Sequence, residues 1–174
     1  MPYEIEKTYL AKYFPKDLKK FPHQEIIDLY IPKSREHPTI RIRKIGENYE
    51  LTRKAPVDLK DCSFSEELTI KLDKNEYAVL KKLPAYKIHK IRYYYKYKNK
   101  IAEFDIFLGR LRGLVVVEVE FKNKREMKNF EMPDFCLVDV TQMKLVAGGL
   151  LSKKKYNDLN NKLLKKLSYK SLYL

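Results

Sequence analysis

Along much of the chain up to residue 122, apolar and polar positions alternate with period two, as in strands that have one dry and one wet face. Strands are predicted over 3–10, 26–32, 39–45, 48–54, 64–71, 88–97, 100–107 and 114–122. Gly46-Glu47-Asn48 and the stretch Tyr97-Lys98-Asn99-Lys100 read as tight turns, so neighbouring strands are expected to form antiparallel hairpins. Helices are fewer. Asp73 followed by Glu76 predicts a capped helix that stops before Pro84. Asn123 with Glu126 predicts a second helix ending at Pro133, and residues 15–21 read as a short helical turn. From Ser152 onward, Leu159, Leu163 and Leu167 recur every fourth residue among lysines, which predicts a last helix and tail over 152–174. The expected fold class is α+β: one domain over 1–174, an antiparallel barrel of about eight strands with helices packed outside.

The same alternation sorts charge. Glu4, Glu6 and Thr8 share one face of the first strand, while Tyr3, Ile5, Lys7 and Tyr9 take the other. Two carboxylates one pleat apart, at roughly 7 Å, repel unless a cation comes between them. Later strands repeat the pattern with Asp28 and Tyr30, Arg41 and Arg43, Glu50 with Thr52 and Lys54, and Ser65 with Glu67 and Thr69. Lys90 with Arg92, Glu103 with Asp105, and Glu118 with Glu120 complete it. A single sheet with its polar side in water would also alternate. Here, however, whole strands carry only acids and others only bases, whereas a solubilising surface intersperses the two signs. Arginine, whose planar fork suits phosphate oxygens, recurs at Arg41, Arg43 and Arg92. Closing the sheet with this face inward would bring Glu4, Glu6, Glu118 and Glu120 together as oxygen ligands for Mg²⁺ or Mn²⁺. Arg41, Arg43, Lys54, Lys90 and Arg92 would surround a multiply charged anion, for which a triphosphate is a natural match.

The formal net charge of +14 points to an anionic partner. A nucleic-acid binder would expose basic stripes with stacking aromatics. Here the arginines alternate onto the same face as carboxylates, so that class is disfavoured despite the lysine-rich tail. No apolar run approaches the roughly 18 residues of a membrane span, and the charged start does not read as a signal peptide. Cys62 and Cys136 fit no zinc spacing, which predicts reduced thiols in a cytoplasmic protein.

Taken in order, these pieces resemble the CYTH family, the triphosphate tunnel metalloenzymes, from Glu4 to about Leu151. The resemblance rests on Glu4-Ile5-Glu6 for the E-x-E-x-K strand, "LYIP" at 29–32, "RIR" at 41–43, "LTRKAP" at 51–56 and "KIRY" at 90–93. The run from Glu103 to Phe121 and "DVT" at 139–141 belong to the same pattern. The resemblance implies a tunnel barrel, a divalent metal, and hydrolysis of inorganic, thiamine or nucleoside triphosphate. A class IV-type adenylate cyclase or a non-catalytic nucleotide or polyphosphate binder is the alternative, and a homodimer is left open. It places Glu4, Glu6, Glu118 and Glu120 at the metal, with Glu67 and Asp105 as further candidates. Phosphate binding falls to Arg41, Arg43, Lys54, Lys90 and Arg92, and catalysis to Tyr30 and Lys90. One position departs: the motif lysine is Thr8, and Lys7 is one residue out of step.

Overall fold

The computed structural model describes residues 3–58 and 60–174. Eight strands are close to those expected: β1 (Tyr3–Ala11), β2 (His23–Ile31), β3 (Ile40–Ile45), β4 (Asn48–Asp58), β5 (Asp61–Leu72), β6 (Tyr86–Tyr97), β7 (Lys100–Phe107) and β8 (Val115–Phe121). Each pairs antiparallel with its neighbours in the order β5-β4-β3-β2-β6-β7-β8-β1. The sheet closes on itself because the first residues of β1 also pair with β5, Glu4 opposite Ser65. Gly46 supplies the positive φ of the β3–β4 turn, at +53°.

A ninth strand, β9 (Cys136–Asp139), escapes the sequence pattern because it is only four residues long. Beyond Ile5, β1 parts from β5 and takes β9 as its partner, Tyr9 opposite Asp139. This keeps the backbone of the upper half of β1 hydrogen-bonded on both sides.

The outward face of β1, β6, β7 and β8 carries Tyr9, Tyr93, Phe104, Val117 and Val119, which pack with Leu18 and Phe135 from the connections. The β-branched run Val115–Val117 favours a strand, and here both of its faces are buried. Helix α1 (Lys74–Leu80) has the expected capping box: Asp73 accepts from the Asn75 and Glu76 amides, and Glu76 accepts from the Asp73 amide. Helix α2 (Lys124–Lys128) starts on Asn123 as expected but stops well before Pro133. Its Glu126 turns back to the Lys122 amide instead of the cap residue.

Inward positions change character along the barrel. On β1 they run Glu4, Glu6, Thr8, Leu10, and on β8 Glu120, Glu118, Val116. Leu10, Val116, Phe107, Ile88 and Tyr30 make one end apolar, where Leu111, Leu114, Val140 and the C-terminal segment fill it. That segment comprises α3 (Gly148–Leu151), α4 (Tyr156–Leu159) and a π-helical turn over 160–164. The expected every-fourth leucine stripe is therefore not the buried one. Leu159, Leu164 and Tyr169 are buried, five residues apart, as bonds from Lys165 to Asn160 and from Tyr169 to Leu164 dictate. Tyr169 then anchors the tail, accepting from the Val115 amide at 2.8 Å and donating to the Gly113 carbonyl at 2.9 Å. No helix among the described residues is long and apolar enough to cross a membrane.

Gly148 and Gly149 let α3 dock. A Cβ on Gly148 would sit 2.0 Å from the Tyr30 hydroxyl oxygen, and one on Gly149 2.2 Å from the Pro38 carbonyl. Gly148→Ala should therefore destabilise the protein by about 1–3 kcal/mol, the range for overpacking. In urea unfolding, Tyr30→Phe should recover part of that loss in the double variant, because the closest clashing atom is gone. Strictly additive costs would show that α3 does not bear on Tyr30.

Candidate active site

The barrel encloses a cavity of about 300 Å³. Its lining includes every metal, phosphate-binding and catalytic candidate named from the sequence: Glu4, Glu6, Tyr30, Arg41, Arg43, Lys54, Glu67, Lys90, Arg92, Asp105, Glu118 and Glu120. Strand parity is the reason, since a pleated strand closed into a barrel sends alternate side chains inside. Thr8 also lines the cavity, whereas Lys7 points outward and donates to the Phe130 carbonyl at 3.4 Å.

The charges form an ordered network. Arg43 is clamped on Asp28 by two bonds, Nε to Oδ1 at 2.6 Å and Nη2 to Oδ2 at 2.8 Å. Their side chains are 9% and 1% exposed, and the strands place them directly opposite. Burial would raise the Asp28 carboxyl, but the Arg43 guanidinium outweighs it and holds the group well below the ordinary carboxylate range. Arg92 serves three acids. It donates through Nε and Nη2 to Asp105 at 2.7 and 2.6 Å, through Nη2 to Glu118 at 2.6 Å, and through Nη1 to Glu103. Lys90 also donates to Asp105. Against the effect of burial, Arg92 and then Lys90 keep Asp105 ionised. Asp105, expected among the metal candidates, thus has both oxygens engaged by cations. Lys54 spans the cavity to Glu4 and Glu6, at 2.8 Å from each. It is the cation that the first strand's paired carboxylates required.

Carboxylates crowd the wall formed by β7, β8 and β1. Glu6 faces Glu120, and Glu103 faces Glu118. Burial and then the competing charges raise Glu103 to about 7, with Arg92 opposing and Glu118 adding. Glu120 is raised by burial and by Glu4. Glu6 is raised by burial, with Lys54 opposing. On the far wall, Arg41 reaches Glu67 only at 3.3–3.4 Å, and its buried Nε has no partner among the described residues. Burial holds Tyr30 as a neutral phenol, its pKa raised. Burial also lowers Lys90, with Asp105 opposing and Arg92 adding.

Sequence reasoning did not single out Asp28 and Glu103 as site residues. Both were legible by parity, one pleat from Tyr30 and Asp105 respectively. The 37–39 and 141–149 segments, which bring His37, Thr141, Met143 and Lys144 to the lining, carry no period and could not be placed. Thr141 is held there by Asp139 at 2.6 Å and accepts from the Thr8 amide at 3.0 Å.

Comparison with known proteins agrees with this fold. The family model for the CYTH domain matches residues 6–134. An inorganic triphosphatase of Nitrosomonas europaea is 29% identical over 146 residues, 81% of this chain and 91% of that protein. The crystal structure of an inorganic triphosphatase superposes with a TM-score of 0.63 at 24% identity, covering 86% of this chain and 93% of the other. A conserved protein of Pyrococcus furiosus gives a TM-score of 0.53 at 22% identity, over 72% and 82% of the two chains.

The Asp28–Arg43 pair generates a stability prediction. Asp28→Asn leaves Arg43 buried without its counter-charge and should cost about 3–5 kcal/mol at pH 7. The folded pKa is depressed, so the contribution is complete above the ordinary carboxylate pKa and is lost progressively as pH falls from there toward the lower folded value. Urea unfolding of both proteins at pH 7 and pH 3 should show the gap narrowing at the lower pH. A gap independent of pH would assign the loss to packing.

Proposed function

Because this chain belongs to the CYTH domain family, we propose that it is a metal-dependent triphosphatase acting on inorganic triphosphate. The observation that carries this reading is a closed barrel whose inner wall is split by sign. Arg41 and Arg43 face a dense set of carboxylates across about 300 Å³, and a buried Arg41 Nε lacks a partner among the described residues. A buried donor without an acceptor costs free energy until a ligand oxygen arrives. The relative from Nitrosomonas europaea, an inorganic triphosphatase, supports the choice of substrate.

The donor chemistry fits a hard dication. Glu4, Glu6, Glu118 and Glu120 are carboxylates on adjoining strands, with Glu6 directly opposite Glu120. Like charges so placed repel, and an oxygen-loving cation relieves them. As the side chains stand, no three such groups among the described residues converge as metal ligands, because Lys54 and Arg92 hold them. We assign Glu4, Glu6, Glu118 and Glu120 to Mg²⁺ or Mn²⁺, with Glu67 at the edge of that set. Asp105 serves better as the counter-ion that orients Lys90 and Arg92. The divalent ion, when bound, supplies Lewis acidity and charge neutralisation.

The chain's own residues supply the rest. Arg41 and Arg43 take phosphate oxygens, with Lys54, Lys90 and Arg92 available as carboxylates are neutralised. Phosphoryl transfer needs mainly in-line positioning and charge stabilisation. Tyr30, a neutral phenol, donates a hydrogen bond instead of acting as a base. Lys90, with its pKa lowered by burial, is the candidate proton acceptor in place of the lysine absent at position 8. The barrel's apolar end keeps bulk water from one side of the bound chain.

Purified protein should release phosphate from tripolyphosphate with Mg²⁺ or Mn²⁺, more readily than from thiamine triphosphate or ATP, and should lose the activity on chelation. Arg41→Ala should lower kcat about 100-fold or more, the scale seen when a transition-state donor is removed. Lys90→Arg should abolish the rise in rate that accompanies deprotonation of Lys90 as pH increases. No phosphate from any triphosphate with either metal would rule out the hydrolase, and tight binding without release would leave a binder.

A further inference from the structure

The Lys54 side chain starts on the cationic wall and ends on the acidic one. Its strand, β4, adjoins β3 with Arg41 and Arg43. Its ammonium nevertheless lies 2.8 Å from Glu4 Oε2 and 2.8 Å from Glu6 Oε1, two strands away on β1. On the intervening strand, the inward residue opposite Glu4 is Ser65, short enough to leave the lysine stem a path. An ammonium is a compact point charge on a flexible four-carbon stem, suited to two positions in a way that a planar guanidinium is not. We propose that Lys54 is a resident cation which occupies the metal's place between Glu4 and Glu6, and which must leave them when a divalent ion enters. The inference rests on the assignment of Glu4 and Glu6 as metal ligands.

The two cations exclude each other. A divalent ion needs carboxylate oxygens at about 2.0–2.1 Å for Mg²⁺, and the same oxygens now converge on Nζ at hydrogen-bonding distance. Once displaced, the ammonium comes back among Arg41, Arg43 and its cross-strand partner Glu67, whose carboxylate Arg41 already engages, so a further anion there would stabilise it. Metal entry therefore prepares the cationic wall for a triphosphate, and the triphosphate in turn stabilises the displaced lysine. Reciprocity of binding free energies requires the two effects to be equal. In the metal-free barrel, the same contact stops Glu4 and Glu6 from repelling each other. Lys54 is thus a positioning residue that weakens metal binding in the absence of substrate and couples the two binding events.

The test uses Mn²⁺ alone, without any triphosphate. Free Mn²⁺ is followed by electron paramagnetic resonance during titration of wild type, Lys54→Met, Lys54→Arg and Lys7→Met. Lys54→Met should bind Mn²⁺ at least ten-fold more tightly than wild type, while Lys54→Arg, which keeps the charge, should not. Lys7→Met changes the net charge equally on the outer face of the same strand as Glu4 and Glu6, and should change affinity less than three-fold. An affinity of Lys54→Met equal to or weaker than wild type overturns the inference and leaves the triphosphatase reading standing. Equal tightening by Lys7→Met also overturns it, since the effect would be general electrostatics. If no variant binds Mn²⁺ saturably, the inference fails together with the metal-ligand assignment. Should Lys54→Met not fold, the wild type carries the test through the ¹⁵Nζ signal of Lys54, identified by its loss in Lys54→Arg. That signal should exchange slowly with water before Mg²⁺ is added, and should shift and exchange faster afterwards. A signal indifferent to Mg²⁺ overturns the proposal.

Discussion

Burying a charged sheet face is the constraint on which the rest of this structure depends. An isolated charge taken out of water costs several kcal/mol unless it is paired. Closing eight strands into a barrel takes a dozen charged side chains out of bulk water at once, so the order of strands has to place opposite signs within reach. It does so through neighbouring strands. Arg43 on β3 meets Asp28 on β2, and Lys90 and Arg92 on β6 meet Asp105 on β7. Segregation of residue types by strand, odd for a water-facing surface, becomes a pairing rule once the sheet is closed.

The rule is obeyed incompletely, and the exceptions are where ligands belong. Strands β7, β8 and β1 are three acidic strands in succession, and Lys90, Arg92 and Lys54 reach across to them. Glu6, Glu103 and Glu120 there are held above the ordinary carboxylate range, while Asp28 and Asp105, fully paired, lie below it. On the opposite wall, Arg41 has no counter-ion of comparable quality. One wall is short of positive charge and the other of negative charge. The metal-bridged polyanion of the proposed reaction would supply both.

The apolar end has a different origin. Leu10, Val116, Phe107 and Ile88 continue the inward faces of the charged strands, yet they are covered by Leu151, Leu159 and Leu164 from the C-terminal segment. Two adjacent glycines let that segment come down onto Tyr30 and Pro38. The cavity is therefore a charged cup on an apolar floor, and the orientation of Tyr30 depends on a segment far from it in sequence.

The sequence by itself determined the strands, their inward faces and the identity of the charges lining the cavity. A period of two forces alternate side chains to one face whatever the strand's partners are, so Glu4, Arg41, Arg92 and Glu120 could be assigned to a common surface without knowing the topology. It also marked the caps at Asp73 and Asn123, because a cap needs only neighbours a few residues away. Contacts made across the barrel were left to the tertiary structure. That Lys54 reaches Glu4 and Glu6, that Asp105 is engaged by Lys90 and Arg92, and that β9 completes β1 all depend on which strands meet. The tail shows the same limit. Leucines every fourth residue predict one buried face, but the turn that fits beneath the barrel is π-helical and buries Leu164 instead of Leu163 as the next contact after Leu159. Local geometry is written in the period of the chain, whereas the partner of a long flexible charge is decided only when the walls close around it.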